Sequence, residues 1–65
     1  MIFNVGDSVV RNASNWTPSD FDAWGAGDGV GIILEIIDNE TIDVRWPGGR
    51  CYQRPDELIK IARLN

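Results

Sequence analysis

Residues 41–46, Thr41-Ile42-Asp43-Val44-Arg45-Trp46, alternate polar and apolar side chains without a break, and Pro47-Gly48-Gly49 follows at once. A period of two is the signature of a β-strand with one face turned to a core. It places Ile42, Val44 and Trp46 on the inner face and Asp43 and Arg45 on the outer one. Trp46, at the end of so regular a strand, is the first candidate for the core. The Pro-Gly-Gly run reads as a tight hairpin turn, its glycines able to take the positive φ such turns need. Arg50-Cys51-Tyr52-Gln53 then returns as the partner strand.

The rest of the chain has the same grain of short strands between turn residues. Gly6-Asp7 opens Ser8-Val9-Val10-Arg11. A long polar stretch runs from Asn12 to Gly29. Val30 to Ile37 is rich in isoleucine and too short for a typical helix, so it reads as a strand. Asp38-Asn39-Glu40 is a turn. Pro55 opens a one-turn helix through Leu58, with Asp56 and Glu57 suited to its first turn, and Ile59 to Ala62 closes as a fifth strand.

Size limits how these pieces combine. A chain of 65 residues buries only about 60% of the surface its unfolded form exposes. Its single core rarely supplies more than roughly 3–5 kcal/mol. One cysteine, Cys51, and no histidine exclude an internal disulfide and the ordinary zinc arrangements. Five short strands cannot all bury a face in one flat sheet of this size, whereas curling buries the alternating faces and leaves fewer free edges. The expected fold is all-β: a small five-stranded SH3-like barrel over residues 1–65, partly open, with a long first loop and a one-turn helix before the last strand.

The first loop carries its own signals. Thr17-Pro18-Ser19-Asp20 reads as an N-cap, a proline at the first helical position and an acid soon after, and Gly25 is a stop. A helical turn from Pro18 to Trp24 puts Phe21 and Trp24 three residues apart on one face. Two large rings there either fold the loop down onto the barrel or form an exposed binding edge.

Charge and motifs exclude several classes of function. The net charge is −4, and the pI near 4.4 argues against nonspecific attraction to phosphate backbones. The charge is uneven: residues 1–43 hold eight acids and one base, residues 44–65 five bases and two acids. Solvated charges kept for solubility would explain the count as well. The glycines of Gly25-Ala26-Gly27-Asp28-Gly29-Val30-Gly31 fall at every second position, so neither a dinucleotide fingerprint nor a P-loop is met. Backbone freedom at the entry to a bent strand is the better reason for them. Asp20, Asp22, Gly25 and Asp28 match part of a calcium loop, but Gly31 stands where the bidentate glutamate is required. No metal and no cofactor is expected. The sequons at Asn12, Asn15 and Asn39 read as chance matches in polar turns, since no secretory signal precedes them. Without histidine or a G-x-S-x-G elbow, and with Cys51 lacking a His partner, the chain is not expected to be an enzyme. The apolar runs fall short of the roughly 20 residues that cross a bilayer. The expectation is a soluble, reduced, cytoplasmic domain with no membrane partner.

Val9-Val10-Arg11, Trp16, Gly27-Asp28-Gly29-Val30-Gly31-Ile32-Ile33, Val44-Arg45-Trp46-Pro47-Gly48-Gly49 and Tyr52 occur in an order that resembles the Mib–Herc domain of mind bomb-type ubiquitin ligases. The likeness covers roughly residues 6–60. It implies an SH3-like barrel that recognises peptide segments of partner proteins. The first loop here is longer, Gly27-Asp28-Gly29 stands in place of a double glycine, and Pro47 replaces the usual acid after the tryptophan. With no ligase domain in these residues, ubiquitin transfer does not carry over. Only the binding-module reading does.

Barrels of this type bind extended peptides in a groove beside the first loop, walled by aromatic rings. Trp16, Phe21, Trp24, Trp46 and Tyr52 outnumber what so small a core can hold, and Trp16, Trp24 and Tyr52 are expected to keep some exposure. Asp20, Asp22 and Asp28 in the same loop favour a basic ligand, through Lys or Arg pairing and cation–π contact. The peptide site so expected is Trp16, Asp20, Phe21, Asp22, Trp24, Asp28 and Tyr52. Two other readings stand beside it. One is a standalone oligomeric inhibitor or sequestering protein, of the kind a phage or mobile element encodes, which caps an enzyme or traps a small ligand; a chain complete from Met1 to Asn65 and a homo-oligomer would suit it. The other is nucleic-acid binding along Arg45, Arg50, Arg54 and Arg63, which the acidic balance weakens.

Overall fold

The computed structural model describes residues 2–16 and 29–61. Asp20, Phe21, Asp22, Trp24 and Asp28, the expected Pro18–Trp24 turn and Ala62 lie outside the described residues.

The alternation at 41–46 forms strand β3, Thr41–Trp46, and the returning strand β4 is Gly49–Gln53. Their ladder is unbroken from Ile42↔Gln53 to Trp46↔Gly49. The loop is therefore only Pro47-Gly48, and strand pairing begins one residue before the expected Arg50. A proline at the first loop position fixes φ near −65°, which rules out the mirror-image turns of most two-residue hairpins. The left-handed φ falls instead on Gly49, at 146°.

β1 (Ser8–Arg11) and β2 (Gly31–Asp38) complete the centre of the sheet, and β5 (Leu58–Lys60) its far side. The order is β4-β3-β2-β1-β5, and every neighbouring pair is antiparallel. The fold is all-β, one five-stranded sheet whose row is open, with β4 and β5 as its edges. A single 3-10 turn, Pro55–Glu57, precedes β5. It ends before Leu58 because that residue is already extended and pairs with Arg11. No helix among the described residues is long and apolar enough to cross a membrane.

β2 explains why apolar residues stand side by side in Ile32-Ile33-Leu34 and Ile36-Ile37. Its register against β3 slips after Ile33 and again after Ile36, so that Leu34 and Ile37 are each an extra residue with no partner. Two bulges bend the strand and increase its twist. They also keep Ile33 and Ile36 facing Val44 and Ile42, while Leu34 and Ile37 stay exposed.

The core is Phe3, Val9, Ile33, Ile42, Val44, Trp46 and Leu58. Phe3 was not expected there. A turn carries it in: Asp7 N–H donates to Asn4 O (3.1 Å), and Asn4 N–H to the Asp7 carboxylate (2.8 Å). Gly6 N–H then bonds Ile33 O, and Ile33 N–H bonds Asp7 O, which seats the segment on β2.

Trp46, 2% exposed, lies over Gly31. A Cβ built at Gly31 would stand 2.7 Å from Val44 Cγ1 and 2.8 Å from Trp46 Cε3. The sequence suggested backbone freedom for this glycine. Its φ is ordinary, and what the site needs is the absence of a side chain under the indole.

Candidate functional site

The residues with functional promise fall into two groups, one on each side of the sheet. On the inner side Trp16 is half-buried and packs against the core. Its ring meets Trp46 edge-on at 5.7 Å and 87°, the geometry that aligns a positive ring edge with a negative face. The Arg11 guanidinium lies 5.9 Å from the Trp16 ring centre. Trp46 Nε1 is buried with no hydrogen-bond partner among the described residues, so the indole is held by packing alone.

The start of the first loop is tied to the 3-10 turn. Asn12 N–H donates to Glu57 O (2.8 Å), and the side-chain amides of Asn12 and Asn15 both donate to Asp56 O, each at 3.1 Å. Asn12 Oδ1 accepts from Ser14 N–H (3.2 Å). Two of the three sequon asparagines thus serve as braces. Glu57 holds the other side of the turn: its carboxylate is buried and accepts from Arg54 N–H (2.9 Å) and from the Gln53 amide (3.3 Å).

The outer face of β2, β3 and β4 carries the second group. Cross-strand register lines up Glu35, Asp43 and Tyr52 in one row and Ile32, Arg45 and Arg50 in the next. Asp43 and Arg50 are diagonal neighbours, close enough for a long side chain to bridge. Arg50 Nε donates to both carboxylate oxygens of Asp43, at 3.0 and 2.8 Å, and its terminal nitrogen donates again to Oδ2. Asp43 is consequently 1% exposed despite its outward position, while the guanidinium remains mostly in solvent. This corrects the reading of Asp43 as a solvated outer charge. The hydrogen bond to Asp43, and then its negative charge, raise the Arg50 pKa above its ordinary value.

Tyr52 stands next to this pair with 64% of its surface exposed, and Asp43, Arg50, Cys51 and Tyr52 line an open depression of about 320 Å³. An open hollow of this kind suits a side chain of an extended ligand better than an enclosed small molecule. No family model, no curated protein and no solved structure matches the chain. Among the described residues, no cluster of three or more His, Cys, Asp or Glu is placed to hold a metal ion.

Of the seven expected site residues, Trp16 and Tyr52 are described, and the sheet does not bring them together. Trp16 leans on the core side of Trp46, and Tyr52 faces out from β4. The pair that sequence reasoning missed, Asp43 and Arg50, was within reach of the two-residue turn, which sets residue 43 opposite 52 and diagonal to 50.

Proposed function

We propose that this chain is a noncatalytic protein-interaction module that binds extended peptide segments, basic ones above all, on an SH3-like barrel. The observation that carries the reading is Tyr52, a large ring left in water on a strand whose opposite side is core. An aromatic ring on a rigid element offers contact area at small entropic cost. Glu35 lies in its row, and the carboxylate of Asp43 fixes Arg50 beside it. The reading also assigns Trp16, Asp20, Phe21, Asp22, Trp24 and Asp28 to the ligand, with Trp16 on the other side of the sheet from Tyr52.

The sheet order supports the architecture. β4-β3-β2-β1-β5 is the row that a partly open five-stranded barrel unrolls into, and the β2 bulges supply local bending. The likeness to the Mib–Herc domain points to the same fold and to the same class of ligand. In this reading the module works inside the cell, where Cys51 stays a thiol.

The test is selection of random extended peptides displayed on phage against the chain at a dilution that keeps it monomeric. Enriched peptides should carry Lys or Arg, and Tyr52→Ala should weaken them at least tenfold with an unchanged circular-dichroism spectrum. Absence of enrichment, or enrichment indifferent to Tyr52, Trp24 and the three loop aspartates, refutes the reading. Titration with single-stranded and duplex DNA at low salt should show no binding.

A further inference from the structure

We propose that the free edge of β4 is a self-pairing surface: two copies of the chain join β4 to β4 antiparallel about Cys51, extending the five-stranded sheet into a continuous one across the pair. The inference rests on the backbone and does not depend on the peptide-binding reading.

An edge strand presents unpaired N–H and C=O groups, and proteins that must avoid edge pairing shorten it, bulge it, or place proline and lysine on it. The β5 edge has such protection, with three residues that include Lys60. β4 has little. It is five residues long, its register with β3 shows no bulge, and it contains no proline or lysine. No further strand among the described residues pairs with it.

The turn determines which groups are on offer. Trp46 and Gly49 close the two-residue loop as a hydrogen-bonded pair, so Gly49, Cys51 and Gln53 direct their backbone groups to β3. Arg50 and Tyr52 therefore turn theirs to the free edge, where the Tyr52 carbonyl accepts a long contact from the Cys51 thiol (3.5 Å) that a backbone N–H of the second copy displaces. Antiparallel pairing about Cys51 sets Arg50 opposite Tyr52 of the second copy, and the reverse, as two hydrogen-bonded pairs. Each pair exchanges two backbone bonds.

Side chains select this register over its neighbours. Centring the pair on Arg50 would set two guanidiniums directly opposite each other, and centring it on Tyr52 would set Arg50 against Arg54. Like charges in those positions are destabilising. Centring on Cys51 instead lays each guanidinium against a tyrosine ring, a favourable stack. The Asp43 carboxylate already holds Arg50 by its nitrogens, which leaves the planar face of the guanidinium uncommitted. Among the described residues, the two Cys51 side chains face each other on the inner side, each packed against its own core. One short strand per copy makes a small interface, below about 1,200 Å² in total, so association is weak and depends on concentration.

Sedimentation equilibrium of the full chain from micromolar to millimolar concentration should show the mass rising from 7.2 kDa toward twice that value. Mixed-label NMR at the high end should give contacts between Arg50 of one copy and the Tyr52 ring of the other. Tyr52→Pro, which removes an edge N–H without touching the β3 ladder, should keep the chain folded and monomeric. A monomer at every concentration overturns the proposal. So do a dimer whose cross-copy contacts lie at β5 and a β4 edge that pairs only with an added extended peptide. Because the peptide selection uses dilute monomer, failure of self-pairing and failure of peptide binding are separate results.

Discussion

Gly31→Ala is the sharpest test of how the core is built. The added methyl would stand 2.7 Å from Val44 Cγ1, 2.8 Å from Trp46 Cε3 and 2.9 Å from Trp46 Cζ3. Both neighbours are fully buried, so neither can retreat into solvent. Inserting a methyl group into a packed core costs about 1–3 kcal/mol, and three contacts under 3 Å, two of them on a rigid ring, place this site at the upper end. Gly31 has an ordinary φ, so alanine also removes unfolded-chain entropy, offsetting about 0.4–1 kcal/mol. The net loss is about 2 kcal/mol, roughly half of what a core of this size supplies. That lowers the ratio of folded to unfolded chain about thirtyfold and the melting temperature by roughly 10–15 °C. Urea titration followed by tryptophan fluorescence measures the first, and a thermal melt by circular dichroism the second. In the double variant with Trp46→Phe, which removes the two clashing ring atoms, the losses should fall short of additive by about 1 kcal/mol. A Gly31→Ala chain as stable as its parent would mean that the indole does not lie on this glycine.

Two further substitutions test parts of the fold outside the sheet. Phe3→Ala should cost about 3–5 kcal/mol, which is all the stability available, and collapse the amide dispersion of the NMR spectrum; a dispersed spectrum would remove residues 2–7 from the core. Asn12→Ala removes one donor to Asp56 O and one acceptor for Ser14 N–H. It should lower the urea midpoint by the equivalent of about 1 kcal/mol, with Asn15→Ala costing less and an unchanged midpoint in both denying the brace.

The hairpin of β3 and β4 was legible because alternation, turn and strand length all speak locally. Trp46 as a core residue followed from the same alternation. Pro55 announced the 3-10 turn by its fixed φ. What escaped depends on contacts far along the chain. Phe3 has no periodic neighbours, and its burial arises from the Gly6–Ile33 and Ile33–Asp7 bonds. Asp43 sits where a solvated charge belongs by alternation, and only cross-strand register shows that Arg50 reaches it. The apolar run of β2 announced a strand without saying that two of its members carry no partner. For Gly31 the sequence suggests backbone freedom at a strand entry, because it records the glycine and not the ring above it. Of the expected site, the exposure of Tyr52 is visible, as is the half-burial of Trp16 against Trp46.

The two unpartnered residues of β2 make its length a matter of parity. Loss of Leu34 alone would leave Ile33 opposite Val44 but bring Glu35 in line directly after it, and the strand could straighten without exchanging sides. Loss of Ile36 instead would carry Ile37 into the vacated place beside Ile42, one isoleucine standing in for another. Single deletions that ruin most strands would here remove a bend while leaving the inward-facing row in place.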